Sequence, residues 1–372
     1  MISDRRMVKE RMGMRFPKLR SESDQLLRLD SLRFIAAVMV VIYHFRNQWV
    51  FASGPGWKMA RFDSMSLAVD LFFIISGIVI TFVYERRLDY GAFLKRRFAR
   101  LAPLHYATFL FYLLAGFLAL QAGYDGFEMI KYRPDCAWTH VVFLQAHGLC
   151  DGRSFNDVSW SIGAEMTVYL LFPLFLKLLG VHRALPALVA LCVVVLLDAA
   201  APWSPGSVSW RMLTHEMGVV RAFPGFLFGM SLWAYRRELA RLPYADGILL
   251  GLVGLFIVGA IVGADQKIMF ALTYGIAATA LAADQAGHPN ALSRWIAPLG
   301  VLTYGIYMLH PIIRSLGYPL MMAAGFESNL AITICGLFVL PAAYLSYVWF
   351  ENPARRWISR WRLRSPRVVA ST

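Results

Sequence analysis

Leu32 to Phe45 reads LRFIAAVMVVIYHF, a run that is apolar except for Arg33 near one end and His44 near the other. A stretch of this kind, extended on both sides, is long enough to approach a bilayer span. It is not an isolated case, because Ala187 to Leu197 carries no charge at all. Across the 372 residues, 58% belong to the apolar set, only 16% are charged, and the mean hydropathy is +0.53. Soluble domains carry roughly a quarter charged residues. The balance therefore predicts an all-α, polytopic membrane protein, since helices satisfy their own backbone in lipid.

Ten spans are expected, at residues 31–49, 66–84, 101–121, 158–179, 184–202, 218–235, 245–263, 268–286, 295–316 and 328–350. Lys and Arg exceed Asp and Glu by 37 to 23, for a net charge of +14. With the amino terminus inside and sides alternating, inner segments hold 26 of those basic residues and outer ones eight, while Arg33, Arg221 and Arg314 fall within spans. This is a positive-inside pattern that places both termini in the cytosol. The charge is thereby assigned to orientation and anionic lipid, and nucleic acid is not an expected partner. The domain reading is a basic cytosolic segment at 1–28, a membrane domain at 29–357 and a basic tail at 358–372. Residues 1–28 hold no apolar run long enough for a signal peptide.

Four cysteines exclude a disulfide scaffold. Cys192 and Cys335 lie within spans. Cys136 and Cys150 share the longest outer loop, Ala122 to Asp157, either as two free thiols or, in an oxidising compartment, as a bridge.

Ionisable groups inside spans cost roughly 2.5 to 3.5 kcal/mol each on insertion scales and so demand a partner, a cavity or a function. Eleven residues at about 100° each return a helix to within about 20° of its starting face, so Arg33 and His44 share one face about 16 Å apart. Arg33 sits near the inner interface and also fits an arginine snorkelling to lipid phosphate. His44 lies beyond mid-membrane and also fits a packed, satisfied histidine. Trp160, Ser161 and Glu165 enter span four from outside, with Glu165 roughly 10 Å deep. Tyr304 and His310 occupy the middle and outer half of span nine, where Pro311 is placed to break or kink the helix. Asp70 opens span two. Two histidines, a glutamate and an aspartate are thus expected to converge on one cavity in the outer half of the membrane. A proton pathway would use the same residues, which keeps a proton-coupled carrier or flippase as the rival function.

The segment Tyr84 to Pro103, YERRLDYGAFLKRRFARLAP, is read as a cytosolic loop. Arg97 and Arg100, three apart, would share a helix face and suit a phosphate clamp, or serve only as an orientation signal. Glu351 and Arg355 read as interface anchors. The chain contains no P-loop, no Rossmann fingerprint and no Cys/His metal cluster, so no metal is expected.

Six strings in chain order carry a resemblance: RLDSLRFIAAVMVVIYH at 28–44, VDLFFIISG at 69–77, KRRFARLAPLHY at 95–106, SWSIGAEMTVYLLFP at 159–173, TYGIYMLHPI at 303–312 and WFENPARRW at 349–357. Together they resemble the integral membrane acyltransferase family 3, the O-acetyltransferases of exopolysaccharide and lipopolysaccharide sugars, whose first span carries an arginine, ten residues and a histidine. The resemblance implies a multi-pass enzyme of the cell membrane, transferring an acyl group, most often acetyl, from cytosolic acyl-CoA to a hydroxyl of a polysaccharide or lipid-linked sugar. It makes His44 the essential histidine, Arg33 its partner, and Arg97 and Arg100 the pair that meets coenzyme A, with no permanently bound cofactor. Some members append an extracytoplasmic hydrolase-like domain. This chain stops 22 residues after Phe350 and is expected to lack it.

A thioester is already activated, so the chemistry needs a base for the attacking hydroxyl, a role that suits a neutral imidazole. His44 is the expected base, with Glu165 or Asp70 fixing its tautomer. An acyl-histidine intermediate is the alternative. Trp160, Ser161, Tyr304 and His310 are expected to line the cavity or meet the acceptor. No second copy of the arginine-to-histidine element is present, which disfavours a carrier built from repeats.

Overall fold

The structure, a computed structural model, describes residues 19, 26–49, 59–123, 127–200, 209–287 and 290–361. Most of the expected basic segment 1–28 and of the tail 358–372 lies outside these residues. The described residues are helical or loop, without strands.

Each expected span contains a helix: α1 Leu27–Phe45, α2 Ala68–Tyr84, α3 Tyr90–Gln121, α4 Trp160–Val181, α5 Leu185–Ala200, α6 Val219–Ala234, α7 Ala245–Val262, α8 Gln266–Gln285, α9 Thr303–Ala323 and α10 Ser328–Ser346. Among the described residues, seven helical stretches are long and apolar enough to cross a membrane, and they contain α2, α3, α4, α7, α8, α9 and α10. The apolar helices α5 and α6 are shorter. The first turns of α1 hold Arg28, Asp30 and Arg33, which dilute its apolar character.

The charge of Arg28 is neutralised by neighbours distant in sequence. Arg28 forms a two-pronged ion pair with Asp246 of α7, at 2.7 Å for each nitrogen. Asp284, near the end of α8, accepts hydrogen bonds from the backbone N–H groups of Arg28 (2.9 Å) and Leu29 (3.1 Å). A carboxylate from another helix thus does for α1 what a local cap residue usually does for a helix start.

At the centre, α2 and α6 meet backbone to backbone. A Cβ added at Gly77 would lie 2.1 Å from the Phe226 carbonyl oxygen, and one at Gly229 would lie 2.1 Å from that of Ile74. Small residues at a crossing let two membrane helices approach to this distance. The apolar side chains left uncovered lie on peripheral helices: Leu191 and Leu196 of α5, Leu250 and Val262 of α7, and Leu337 and Phe338 of α10 are all exposed. Apolar surface of this extent is the face a bilayer covers.

One expectation fails in the fold, and one of the two outcomes open at Pro311 is excluded. The segment 84–103 is not a loop through its length, because α3 begins at Tyr90, with the Asp89 carboxylate accepting from Ala92 N at 3.0 Å, and continues for 32 residues. The basic residues therefore ride on a rigid helix that runs on into the membrane. Pro311 does not end α9, which continues to Ala323. Within a bundle, neighbouring groups can satisfy the backbone that a proline frees.

The loop expected on the outer side is folded over its described residues 127–157. It contains the short helix Ala137–Val141, and Cys136 and Cys150 are joined as a disulfide, with Cα atoms 5.8 Å apart. Asp135 lies beside them, but bonded sulfurs supply no thiolate for a metal. Asn156 Nδ2 donates to the Met308 carbonyl (3.0 Å), docking the loop on α9.

Candidate active site

Helix α3 presents Arg97 and Arg100 on one side, three residues apart. The Arg97 guanidinium lies about equally far from three rings, at 5.9 Å from Tyr84, 6.0 Å from Phe93 and 6.0 Å from Tyr169. Ring faces attract a cation at this range without using its donors, and the buried Nε of Arg97 has no hydrogen-bond partner. Arg97 and Arg100 line two adjoining spaces. One, of about 470 Å³, is bordered by Arg96, Arg355 and Ser359. The other, of about 100 Å³, runs between α1, α2, α3, α4 and α9.

This inner cavity is graded along its length. Arg33, Arg97 and Arg100 form one end, Val69, Phe72, Ile75, Val79 and Ile162 provide apolar wall, and Ser161 and Tyr307 lie towards the other end. Glu165 and Tyr304 also line it. The Ser76 hydroxyl donates to Glu165 Oε1 at 3.1 Å, and the Tyr169 hydroxyl donates to the same oxygen. Tyr304 donates its hydroxyl to the Leu101 carbonyl, tying α9 to α3. Ser161 donates to the Tyr307 hydroxyl (2.8 Å), which in turn donates to the Val158 carbonyl (2.7 Å).

One turn beyond Tyr307 lies His310, fully buried, with its Nε2 3.2 Å from Nδ1 of His44. The Arg314 guanidinium donates to the His44 carbonyl at 2.7 Å and holds the end of α1 against α9. Asp157 is the carboxylate whose charge acts on His44. It is paired with Lys131 at 3.5 Å and with Arg153 at 3.9 Å.

The expected convergence of two histidines, Glu165 and Asp70 on one cavity is not what the structure shows: His44 and His310 meet each other but are not among the residues lining the inner cavity, which Glu165 does line. Asp70 faces away from His44 and pairs with Arg221 of α6 at 2.6 Å, the two side chains being 1% and 2% exposed. Trp160 belongs to this second cluster, because the Arg221 guanidinium lies 4.9 Å from its ring. A desolvated carboxylate takes the nearest cation that can form a charge-assisted hydrogen bond, and Arg221 supplies it. Glu165 accepts hydrogen bonds from Ser76 and Tyr169 and makes none with His44. Arg33 lines the cavity near Arg97 and Arg100 and pairs with Asp30 at 3.5 Å.

Ser76, Tyr169, Tyr307 and Asp157 were not singled out from the sequence. A serine or tyrosine in an apolar span carries no signal by itself, although the one-turn spacing of Glu165 and Tyr169 placed them on one face. Arg355, read as an interface anchor, borders the cationic space. Here the helix α11, Asn352–Arg360, folds back along α3, and Lys95 Nζ donates to the Ser359 carbonyl at 2.9 Å.

A multi-helix membrane bundle with a cation-lined inner cavity is the setting of a membrane acyltransferase. The family model described as an acyltransferase domain matches residues 26–348, and the chain belongs to this acyltransferase family. It is 27% identical over 388 aligned residues to the acyltransferase MdmB of Streptomyces mycarofaciens, covering 91% of this chain and 94% of that one. It is 31% identical over 173 residues to the O-acetyltransferase OatA of Staphylococcus aureus, covering 42% of this chain and 26% of OatA. A 109-residue stretch is 38% identical to protein 2 in the picA locus of Rhizobium radiobacter, covering 28% of this chain and 48% of that protein. No solved structure matches. The protein is thus a multi-pass membrane acyltransferase.

Proposed function

We propose that this chain is a ten-span O-acyltransferase of the cell membrane with both termini in the cytosol. It takes an acyl group, most often acetyl, from cytosolic acyl-CoA and delivers it to a hydroxyl of a cell-surface polysaccharide or lipid-linked sugar. The observation that carries this reading is the graded cavity, with Arg33, Arg97 and Arg100 at one end and Ser161 and Tyr307, one turn short of His310 and His44, towards the other. A cationic mouth suits the phosphates of coenzyme A, and a narrow apolar passage suits its uncharged arm. Arg96 and Arg355 widen the cationic surface.

At the outer end His44 acts as general base. The acceptor oxygen bonds to the thioester carbonyl carbon as its proton passes to His44. The C–S bond then breaks, and the thiolate leaves with that proton as the free thiol of coenzyme A. Positioning of the reactants supplies the rest of the acceleration. The acetyl specificity in the name of OatA supports acetyl as the group carried.

The test uses purified protein in lipid discs with labelled acetyl-CoA and an oligosaccharide acceptor. His44→Ala is expected to insert and to bind acetyl-CoA while losing transfer by about 10² to 10⁴. A larger loss favours an acyl-histidine intermediate. If His44→Ala acylates at the wild-type rate while movement of acceptor across liposomes is abolished, the protein is a carrier.

A further inference from the structure

We infer that His310 is a positioning residue of the transfer step: it shares the Nδ1–H of His44 with the Val40 carbonyl, and Nε2 of His44 is left as the basic nitrogen. The inference rests on the acyl-transfer reading given above. It follows from which atoms around the two rings can accept a hydrogen bond.

His44 Nδ1 is 2.9 Å from the Val40 carbonyl oxygen, one turn back along α1. A carbonyl only accepts, so Nδ1 of His44 carries a proton. His310 Nδ1 is 3.1 Å from the Ile306 carbonyl and carries a proton for the same reason. Neutral His310 is thereby fixed with its lone pair on Nε2, which faces the His44 Nδ1–H at 3.2 Å. The remaining nitrogen, Nε2 of His44, makes no hydrogen bond among the described residues and holds the free lone pair.

The arrangement parallels a base oriented by a hydrogen bond to its far nitrogen, with a neutral imidazole in the place usually taken by a carboxylate. The location gives a physical reason. A carboxylate would be a permanent charge in the bundle whenever His44 is neutral, and an intramembrane charge is costly. His310 adds no charge in the resting state, yet its lone pair still receives the Nδ1–H when His44 becomes imidazolium. The charged groups around the pair are Asp157, Arg46 and Arg314, which act on His44, and Arg314, which acts on His310. Asp157 acts at a distance and has its own partners in Lys131 and Arg153. Orientation of the ring is set by the Val40 carbonyl and His310 together.

The experiment compares His310→Leu, His310→Asn and His310→Gln with the wild type in lipid discs. It uses transfer kinetics with labelled acetyl-CoA and nitrogen-15 NMR of the labelled histidines, with His44→Ala assigning the His44 signals. Leu removes the acceptor, and Asn is too short to reach His44, so both are expected to lower kcat by about 10- to 100-fold. KM for acetyl-CoA should stay within about twofold, and the His44 Nδ1–H signal should shift, because the Val40 carbonyl is then its remaining acceptor. Gln carries an acceptor oxygen at greater reach and should restore part of kcat and return the Nδ1–H signal towards its wild-type position. Should Leu fail to insert, Asn against Gln gives the same contrast. Wild-type kcat in His310→Leu or His310→Asn, or an unshifted His44 Nδ1–H signal in either, overturns the inference. The NMR readout does not need turnover, so a wild type without transfer activity would sink the acyl-transfer reading while the Nδ1–H signal still judged the role of His310.

Discussion

Asp70 of α2 and Arg221 of α6 form an ion pair of 2.6 Å at the most tightly packed helix crossing of the molecule, with both side chains almost wholly buried. Arg221 also donates to the Leu213 carbonyl at 3.2 Å and lies over the Trp160 ring, so its charge is held on several sides. Breaking a buried pair from one side typically costs about 3 to 5 kcal/mol, because the other charge is left stranded. Asp70→Ala is therefore expected to lower the melting temperature of the purified protein sharply. The double replacement Asp70→Leu with Arg221→Met should recover much of the loss. An Asp70→Ala protein with a wild-type melt but no transfer would put Asp70 into the chemistry instead.

The arginines of α3 are expected to act on the donor. Replacing Arg97 and Arg100 together by alanine should raise KM for acetyl-CoA at least tenfold, which corresponds to about 1.4 kcal/mol. Arg97→Lys should rescue this only in part, since an ammonium loses both the planar fork and the stacking against Tyr84, Phe93 and Tyr169. Steady-state kinetics at varied acetyl-CoA supply the measurement. Unchanged KM in the double variant would remove these residues from donor binding.

Sidedness underlies the direction of transfer. Reporter fusions after Glu85, Arg237 and Trp361 are expected to read cytosolic, and one at Gly148 external. A reporter at Trp361 reading external would make the span number odd and reverse the assignment of the cationic mouth.

Acid should loosen the outer loop. His140 is packed between Phe109 and Phe155, and its ring nitrogen Nε2 lies 2.9 Å from the Ser154 hydroxyl. Burial, reinforced by the neighbouring His105 ring, pushes its pKa down from 6.5 to about 3. An unfolded loop binds this proton near pH 6.5 and the folded loop only near pH 3. The stabilising contribution is therefore complete above pH 6.5 and lost progressively as the pH falls through that interval. Hydrogen exchange across residues 137–159 at pH 7, 5 and 4 should show protection falling with pH, and His140→Gln should flatten the trend. Protection independent of pH in the wild type would refute the assignment.

The membrane character of the chain and the face shared by Arg33 and His44 were legible in the sequence, because apolar run length and the helical period act within one segment. The sequence grouped Arg33, Arg97 and Arg100 only as residues to meet the donor and set Ser161, Glu165 and Tyr304 apart in an outer-half cavity, whereas in the structure all six line one cavity. Which charged group meets which was not legible. Glu165 and Asp70 were equal candidates to orient His44, yet Asp70 pairs with Arg221, 151 residues away, and His44 meets His310, 266 residues away. Asp284 caps α1 from 256 residues along the chain. The period of a helix sets the direction of a side chain about its own axis and leaves the rotation and depth of the neighbouring helix undetermined. Those are fixed where backbones can touch, at Gly77 and Gly229, and the approach made there decides which buried donor finds which acceptor.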